Sequence, residues 1–497
     1  MYLPSQKEFI ERSKEYNLIP VYREYMVDTE TPTSIFIKAG GLEKEMFLLE
    51  SVEGEKTISR YSIIGISHNA TLKFKDKVFT LENKGGEETK IITGDPLAEI
   101  EKVLKDYRIY KDPNLNHFTG GAVGYLGYDL VHYFENIPLP GPESIFPEIL
   151  LKLTNLIIIF DHLLNRMKII STERIKGRDD AKKVYLKSVE KIEDIEKEIF
   201  KESQLNIIEK KFLSKTDFNN ITNIDFNSNL SKDEFMEAVL KAKKYIHDGE
   251  IFQVVLSQRF STDKFSKPFN IYRALRSINP SPYMYYINFG NLKIIGSSPE
   301  PLLKISGKKV QTYPIAGTRK RGKSSREDRI LINELYKDEK EKAEHNMLVD
   351  LARNDLGRVC RYGSIKVKKY MSIEKYSNVI HLVSRIEGTL GKGKTIFDAI
   401  KSAFPAGTLS GAPKIRAMQI ISELEPDRRN IYGGIIGYFG YDGSLNTCIT
   451  IRTAVISNKT AYIQAGAGIV NESKPENEWE ETLNKAAAIF KSISAAN

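Results

Sequence analysis

Two carboxylate pairs carry the spacing in this chain that could do chemistry. Glu341 and Glu344, and Glu478 and Glu481 near the C-terminus, are each spaced to share one face of a helix. Ahead of the first pair lies Tyr313-Pro-Ile-Ala-Gly-Thr318, which reads as a short turn between a strand and a highly charged helix. A Gly-Thr turn facing two carboxylate pairs predicts a metal that holds a small anionic substrate. Magnesium takes oxygen ligands, commonly one or two carboxylates completed by water and substrate, so one Glu from each helix would suit it. Read singly, each pair also fits a solvated helix face, and Lys340 and Lys342 flank the first.

Helices must hold these carboxylates. Between Glu341 and Asp355, the spacing of Ala343, Met347 and Leu351 predicts a buried stripe. Ser473-Lys-Pro-Glu476 reads as a helix start with proline inside the first turn. Ser231-Lys-Asp-Glu234 reads as a capping box opening a helix with Phe235, Val239, Ala242 and Ile246 on one face. Gly249 stops it, and a strand follows from Ile251 to Phe260. Upstream, Phe47 to Glu50, Leu72 to Thr80 and Ile149 to Phe160 read as strands.

Composition narrows the class. At 497 residues the chain exceeds one ordinary domain, and 41% hydrophobic content with 23 Phe and 25 Tyr supplies an ample core. Met1 to Glu15 has no apolar signal region, and the longest apolar run, Leu156 to Phe160, has strand length. Cys360 and Cys448 give neither a disulfide framework nor a zinc spacing. A soluble, cytoplasmic protein with no membrane partner is expected. The formal charge of +9 is spread over solvated faces such as Asp179 to Phe200, where Lys and Glu alternate around Ile192, Ile195 and Ile199. No basic run is interleaved with aromatics, so no nucleic-acid partner is expected.

The chain also repeats itself. Gly120-Gly-Ala-Val-Gly-Tyr-Leu-Gly-Tyr-Asp129 matches Gly433-Gly-Ile-Ile-Gly-Tyr-Phe-Gly-Tyr-Asp442 at seven of ten positions. Ile63-Ile-Gly65 matches Ile294-Ile-Gly296, and Ser67, Leu72 and Lys73 match Ser298, Leu303 and Lys304 at the same offset. Two matches in one order predict an ancient duplication. The fold class expected is α+β, with two related β-sheet halves packed as layers and helices outside. The expected division is a degenerate, regulatory half over 1–205, a linker over 206–229 and a catalytic region over 230–497. Glu300 corresponds to Asn69, so the first half lacks a carboxylate there and chemistry should belong to the second.

Four motifs in order carry a resemblance. Ser297-Ser-Pro-Glu300, Asp350-Leu-Ala-Arg-Asn-Asp355, Gly407-Thr-Leu-Ser-Gly-Ala-Pro-Lys414 and Gln464-Ala-Gly-Ala-Gly468 resemble the chorismate-utilising enzymes. The resemblance is nearest to their anthranilate synthase component I branch and covers nearly the whole chain. It implies a Mg2+-dependent conversion of chorismate and ammonia to anthranilate and pyruvate. Hydroxylating relatives have a lysine base where this chain has Gln253, and a neutral amide cannot deprotonate water. Aminodeoxychorismate synthases have a nucleophilic lysine where this chain has Ala316, so here ammonia would attack directly.

The resemblance also implies roles. Glu344 and Glu481 would ligate Mg2+, supported by Glu341 and Glu478. Glu300 would be the general acid for the departing hydroxyl, His381 would assist proton removal, and Thr408 would hold the substrate or that proton network. Gly317, Thr318, Tyr432, Arg452 and the backbone of Gly466, Ala467 and Gly468 would bind carboxylates. Leu48-Leu-Glu-Ser51 and Asn279-Pro-Ser-Pro-Tyr-Met284 resemble the family's L-tryptophan feedback site, implying Glu50, Ser51, Pro282, Tyr283 and Met284 as its contacts. Neither cysteine has a Gly-x-Cys-x-Gly setting, so ammonia would come from a separate glutamine amidotransferase subunit, commonly in a two-plus-two assembly. Two alternatives stay open: an aminodeoxychorismate synthase component I, or a catalytically silent tryptophan sensor.

Overall fold

The computed structural model describes residues 1–52, 60–83, 85–115, 117–176, 180–201, 225–265, 267–376 and 379–497. The expected linker therefore lies outside the described residues through residue 224. The end of that expected linker is corrected: Asn227 and Ser228 form a short strand paired with Ser261 and Phe260.

Antiparallel strands form one hydrogen-bonded network folded into two layers. The first layer runs Val21–Met26, Arg166–Ser171, the end of Ile149–Asp161, the start of Tyr61–Lys75, and Phe47–Glu50. It continues through Tyr283–Asn288, Leu292–Ser298, Thr453–Ser457, Thr460–Ile469 and Gln253–Thr262. The second layer runs from Val78–Asn83 through the end of Tyr61–Lys75 and the start of Ile149–Asp161 to Gly121–Leu126. Ile435–Gly440, Leu445–Ile449, Pro301–Ser306, Lys309–Thr312 and Val379–Thr389 complete it.

The strand Ile149–Asp161 shows why its sequence is apolar almost throughout. Leu150, Ile157 and Ile159 point between the layers. Leu151 and Leu153 face the helices over the second layer, while Leu156, Ile158 and Phe160 face those over the first. Both faces are covered, so the run Leu156 to Phe160 carries no alternation, and the buried polar residues before it are paired, Lys152 with Glu45 and Thr154 with Gly121 O. The inward parity changes along the strand because its pairing with Tyr61–Lys75 is bulged around Ser67 and His68.

The duplication is built into the hydrogen bonding. Gly124 and Gly437, equivalent by sequence, lie directly opposite each other across the layer, on the pseudo-twofold axis. The repeat extends to helices. Tyr185, Ser188, Ile192, Ile195 and Ile199 of Ala181–Phe200 match in spacing Trp479, Thr482, Ala486, Ile489 and Ile493 of Pro475–Ala496. Each layer takes strands from both halves.

Several local expectations are corrected. Tyr313 to Thr318 is not a turn: Ile315–Lys320 is a strand on Val379–Thr389, bulged at Gly317, where φ is +77°. The charged stretch beyond it forms two helices, Ser325–Lys337 and Glu339–Gly357. Leu72 to Thr80 is a hairpin, because Asp76 and Lys77 both adopt positive φ and reverse the chain. In Glu339–Gly357 the buried residues are His345, Val349 and Leu356, whereas Ala343 is exposed. The last helix begins at Pro475 without a side-chain cap, since the Ser473 hydroxyl turns back to accept from Val470 N. The capping box at Ser231 and the positive φ of Gly249 match expectation.

Candidate active site

Two interruptions in otherwise continuous strands shape the site. The first-half strand Tyr61–Lys75 is unbroken, but its counterpart splits into Leu292–Ser298 and Pro301–Ser306 around Glu300. Likewise Ile149–Asp161 corresponds to Leu445–Ile449 and Thr453–Ser457, with Arg452 in the gap at φ +52°. Holding a non-glycine residue there costs on the order of 1 kcal/mol, which the surrounding ladders offset. The breaks are neighbours, since Ile449 N donates to Glu300 O at 2.9 Å.

Glu300 meets Thr408, carried on the short 3-10 turn Gly407–Leu409, whose Oγ1 donates to Glu300 Oε1 at 2.9 Å. Burial pushes the Glu300 carboxyl up to about 7, against the pull of the Thr408 bond and the charge of Lys485. At neutral pH this carboxyl can hold a proton to give away. His381 lies opposite Thr318 in the ladder, with Thr318 Oγ1 2.9 Å from His381 Nδ1. Burial lowers His381 to about 4; a backbone hydrogen bond at Gly317 opposes this and the charge of Arg452 adds to it. Its imidazole is therefore neutral near pH 7 and able to accept a proton.

The glycines mark a backbone that something must approach. A Cβ on Gly466 would lie 2.8 Å from Leu256 O and 2.9 Å from the Tyr432 hydroxyl, and one on Gly468 would lie 2.7 Å from Gln253 Nε2. Tyr432 and Gln253 thus both lie against the Gly466–Gly468 backbone. No hydrogen bond or salt bridge holds the Arg452 guanidinium among the described residues. Burial lowers its pKa, while Tyr432 and the charge of Glu481 raise it. A guanidinium with no partner among the described residues is a fit for a carboxylate.

The carboxylate pairs converge from two helices. Burial raises both Glu344 and Glu478, and each feels the negative charge of Glu481 and the positive charge of Lys340. Glu341 is engaged by Arg319 at 2.8 Å, which also pairs with Asp338 at 2.7 Å. Among the described residues no three His, Cys, Asp or Glu side chains gather closely enough to hold a metal alone. An oxygen-only donor set of two or three mutually repelling carboxylates nevertheless fits a hard dication that completes its shell with water and substrate. Ala316 pairs with Leu382 and leaves no amine at its position.

The regulatory candidates gather elsewhere. A cavity of about 690 Å³ is lined by Glu50, Ser51, Pro282, Tyr283 and Met284, at the end of the ladder joining Phe47–Glu50 to Tyr283–Asn288. The Ser51 hydroxyl is buried with no hydrogen-bond partner among the described residues. Glu50 is already engaged, accepting from Arg276 Nε at 3.0 Å and from Tyr272. Glu300 and Thr408 line a separate pocket of only about 50 Å³, and Tyr313 borders both. The larger cavity is therefore not the one holding the proton-transfer groups.

Two further residues, Lys485 and Arg319, belong here, together with Lys340, which in sequence only flanks the first carboxylate pair. Lys485 pairs with Glu481 at 2.7 Å and donates to Gly466 O at 2.9 Å. Lys340 faces both raised carboxylates, and Arg319 holds Glu341. In sequence, Lys485 looks like an ordinary helix partner of Glu481, one turn away.

The first half has closed its own version of this site. Glu173 stands at the counterpart of Ala467, and Lys187 and Lys191 at those of Glu481 and Lys485. The buried Glu173 carboxylate accepts from Lys187 Nζ at 2.6 Å, from Lys191 and from Asn155. An internal ion-pair cluster occupies these positions in the first half, whereas in the second half, with Ala467 in place of the carboxylate, Lys485 turns to Glu481 and to Gly466 O.

Comparison with known proteins identifies the family. A sequence family described as chorismate binding enzyme matches residues 45–491. Anthranilate synthase component 1 of Acetivibrio thermocellus is 47% identical over 498 residues, covering 100% of this chain and 99% of that one. The Aquifex aeolicus protein of the same name is 45% identical over 495 residues, covering 99% and 98%. The crystal structure of anthranilate synthase component I from Streptococcus pneumoniae superposes with TM-score 0.73 at 36% identity, over 87% of this chain and 92% of that one. MenF, the menaquinone-specific isochorismate synthase of Escherichia coli, shares the fold at TM-score 0.69 and 20% identity, over 98% and 99%. The chain belongs to the chorismate binding enzyme family, in its anthranilate synthase component 1 branch.

Proposed function

We propose that this chain converts chorismate and ammonia to anthranilate and pyruvate in the cytoplasm, with Mg2+ bound between its two carboxylate helices. The observation that carries the reading is Glu300, raised to about 7 by burial and held by Thr408 at 2.9 Å. Ammonia attacks the ring while Glu300 protonates the departing hydroxyl, which leaves as water. With no lysine at Gln253 or Ala316, no side chain competes as nucleophile or activates water instead. The neutral His381 then takes up the ring proton as enolpyruvate departs, giving pyruvate and the aromatic amine.

Arg452, Tyr432 and the Gly466–Gly468 backbone orient the substrate carboxylates, with Gly317 and Thr318 on the opposite side. Glu344 and Glu481 would hold Mg2+, with Glu341 and Glu478 in support; when bound, it neutralises a substrate carboxylate and fixes its orientation. Ammonia comes from a separate glutamine amidotransferase subunit, in a two-plus-two assembly. L-tryptophan binds the cavity at Ser51 and Met284, between the duplicated halves, and reduces activity.

The test is a product assay with chorismate, Mg2+ and ammonium. Fluorescent anthranilate is expected. Accumulation of non-fluorescent aminodeoxychorismate, or no turnover, would overturn the reading.

A further inference from the structure

Arg429 is the bulkiest fully buried side chain among the described residues, and the chemistry above leaves it unused. Its Nη1 donates to Leu409 O at 2.6 Å and its Nη2 to Val255 O at 2.7 Å. Glu425 receives Nε at 2.8 Å and Nη2 at 2.6 Å. Glu425 Oε1 also accepts from Ser257 N at 2.8 Å and from Ser257 Oγ at 2.9 Å. The guanidinium carbon lies 4.7 Å from the ring centre of Tyr128 and 5.7 Å from that of Tyr432.

These contacts link three parts of the site. Leu409 adjoins Thr408 on the 3-10 turn. Val255 and Ser257 lie opposite Gly468 and Gly466 in the ladder. Tyr432 reaches over Gly466. A three-residue 3-10 turn has little stability of its own, so its position depends on what grips its carbonyls. A buried ion pair generally adds little stability over an apolar replacement, so folding alone is a weak reason for charge here. What the charge supplies is direction: several donors fixed in one plane, aimed at two main-chain carbonyls.

We propose that Glu425 and Arg429 form a positioning clamp that holds the Thr408 turn in register with Glu300 and with the Gly466–Gly468 backbone. The clamp acts through Thr408 and touches no reacting atom. It rests on the reading of Thr408 and Glu300 given above.

A double-mutant cycle on the purified chain separates the two claims. Arg429→Lys, Thr408→Val and the double variant are assayed for ammonia-dependent turnover, with thermal unfolding followed in parallel. A misplaced turn should lower kcat of Arg429→Lys on the order of tenfold to a hundredfold, with KM for chorismate moving less than kcat. Because both changes break one path, the double variant should be no worse than roughly threefold below the weaker single variant. A folded Arg429→Lys with wild-type kcat, or losses that multiply in the double variant, would overturn the clamp. Wild-type kcat in Thr408→Val would overturn the reading of Thr408 and the clamp with it. If Arg429→Lys does not fold, Glu425→Gln takes its place in the cycle with the same two outcomes.

Discussion

Thr408 donates to Glu300 across 2.9 Å from 108 residues further along the chain, and this bond favours the ionised form of a carboxyl that burial pushes the other way. Their balance leaves the carboxyl at about 7. A general acid works only while protonated, so at constant free ammonia kcat/KM should fall as pH rises through about 7. Thr408→Val removes the bond that favours the carboxylate, so in that variant the fall should move to higher pH. Initial rates of anthranilate fluorescence measure both profiles. A flat profile, or an unmoved fall in the variant, would contradict the assignment.

Glu344 and Glu481 come from different helices, and the charge of Glu481 bears on both Glu344 and Glu478. Replacing Glu344 or Glu481 by Gln should raise the Mg2+ concentration for half-maximal activity more than tenfold, the loss expected for a direct carboxylate ligand. Glu341→Gln should do less, because Glu341 has a supporting place behind the proposed ligands; a salt bridge alone does not separate the two, since Arg319 holds Glu341 and Lys485 holds Glu481. Mg2+ titration of activity and calorimetric binding read the effect. Equal responses in all three variants would remove the proposed division of labour.

The buried hydroxyl of Ser51, with no hydrogen-bond partner among the described residues, borders the large cavity. Ser51→Phe should fill that space and abolish inhibition by tryptophan while ammonia-dependent activity persists. Retained inhibition would place the effector elsewhere.

In the closed counterpart of the site, burial alone would raise Glu173, but hydrogen bonds and charge from Lys187 and Lys191 hold it below its ordinary value. Glu173→Ala takes this carboxylate from Lys191, 22% exposed, while Lys187 can turn to water, and should cost on the order of 1–2 kcal/mol. Lys187→Ala, at a side chain 53% exposed, should cost under about 1 kcal/mol. The folded carboxyl has the depressed pKa, so its stabilisation is present at neutral pH and lost as pH falls through that value. Urea unfolding at neutral and acid pH tests the size and the sign.

What could be read from the sequence was mostly what is local. The capping box at Ser231, the strand Phe47–Glu50 and the apolar strand from Ile149 depend on neighbours within a few residues. Tyr313 to Thr318 was misread as a turn because its partner strand, Val379–Thr389, lies far along the chain and nothing local marks the pairing. The reversal at Asp76 and Lys77 carries neither glycine nor asparagine. Glu300 and Arg452 could be named from motifs, but not the broken strands that aim them. Lys485 looks like half of an ordinary helical ion pair, and Arg429 lies past Pro426 beyond the end of a helix with nothing local to mark it; only tertiary packing shows what each grips.

If Glu300 supplies the proton for the first elimination, Glu300→Gln removes the acid and leaves the shape of the site. Ammonia-dependent anthranilate formation is compared with wild type at saturating chorismate, Mg2+ and ammonium, with unfolding temperatures matched. The account predicts anthranilate from the wild type and a kcat lower by roughly a hundredfold or more in the variant. A folded variant that makes anthranilate at the wild-type rate would contradict it.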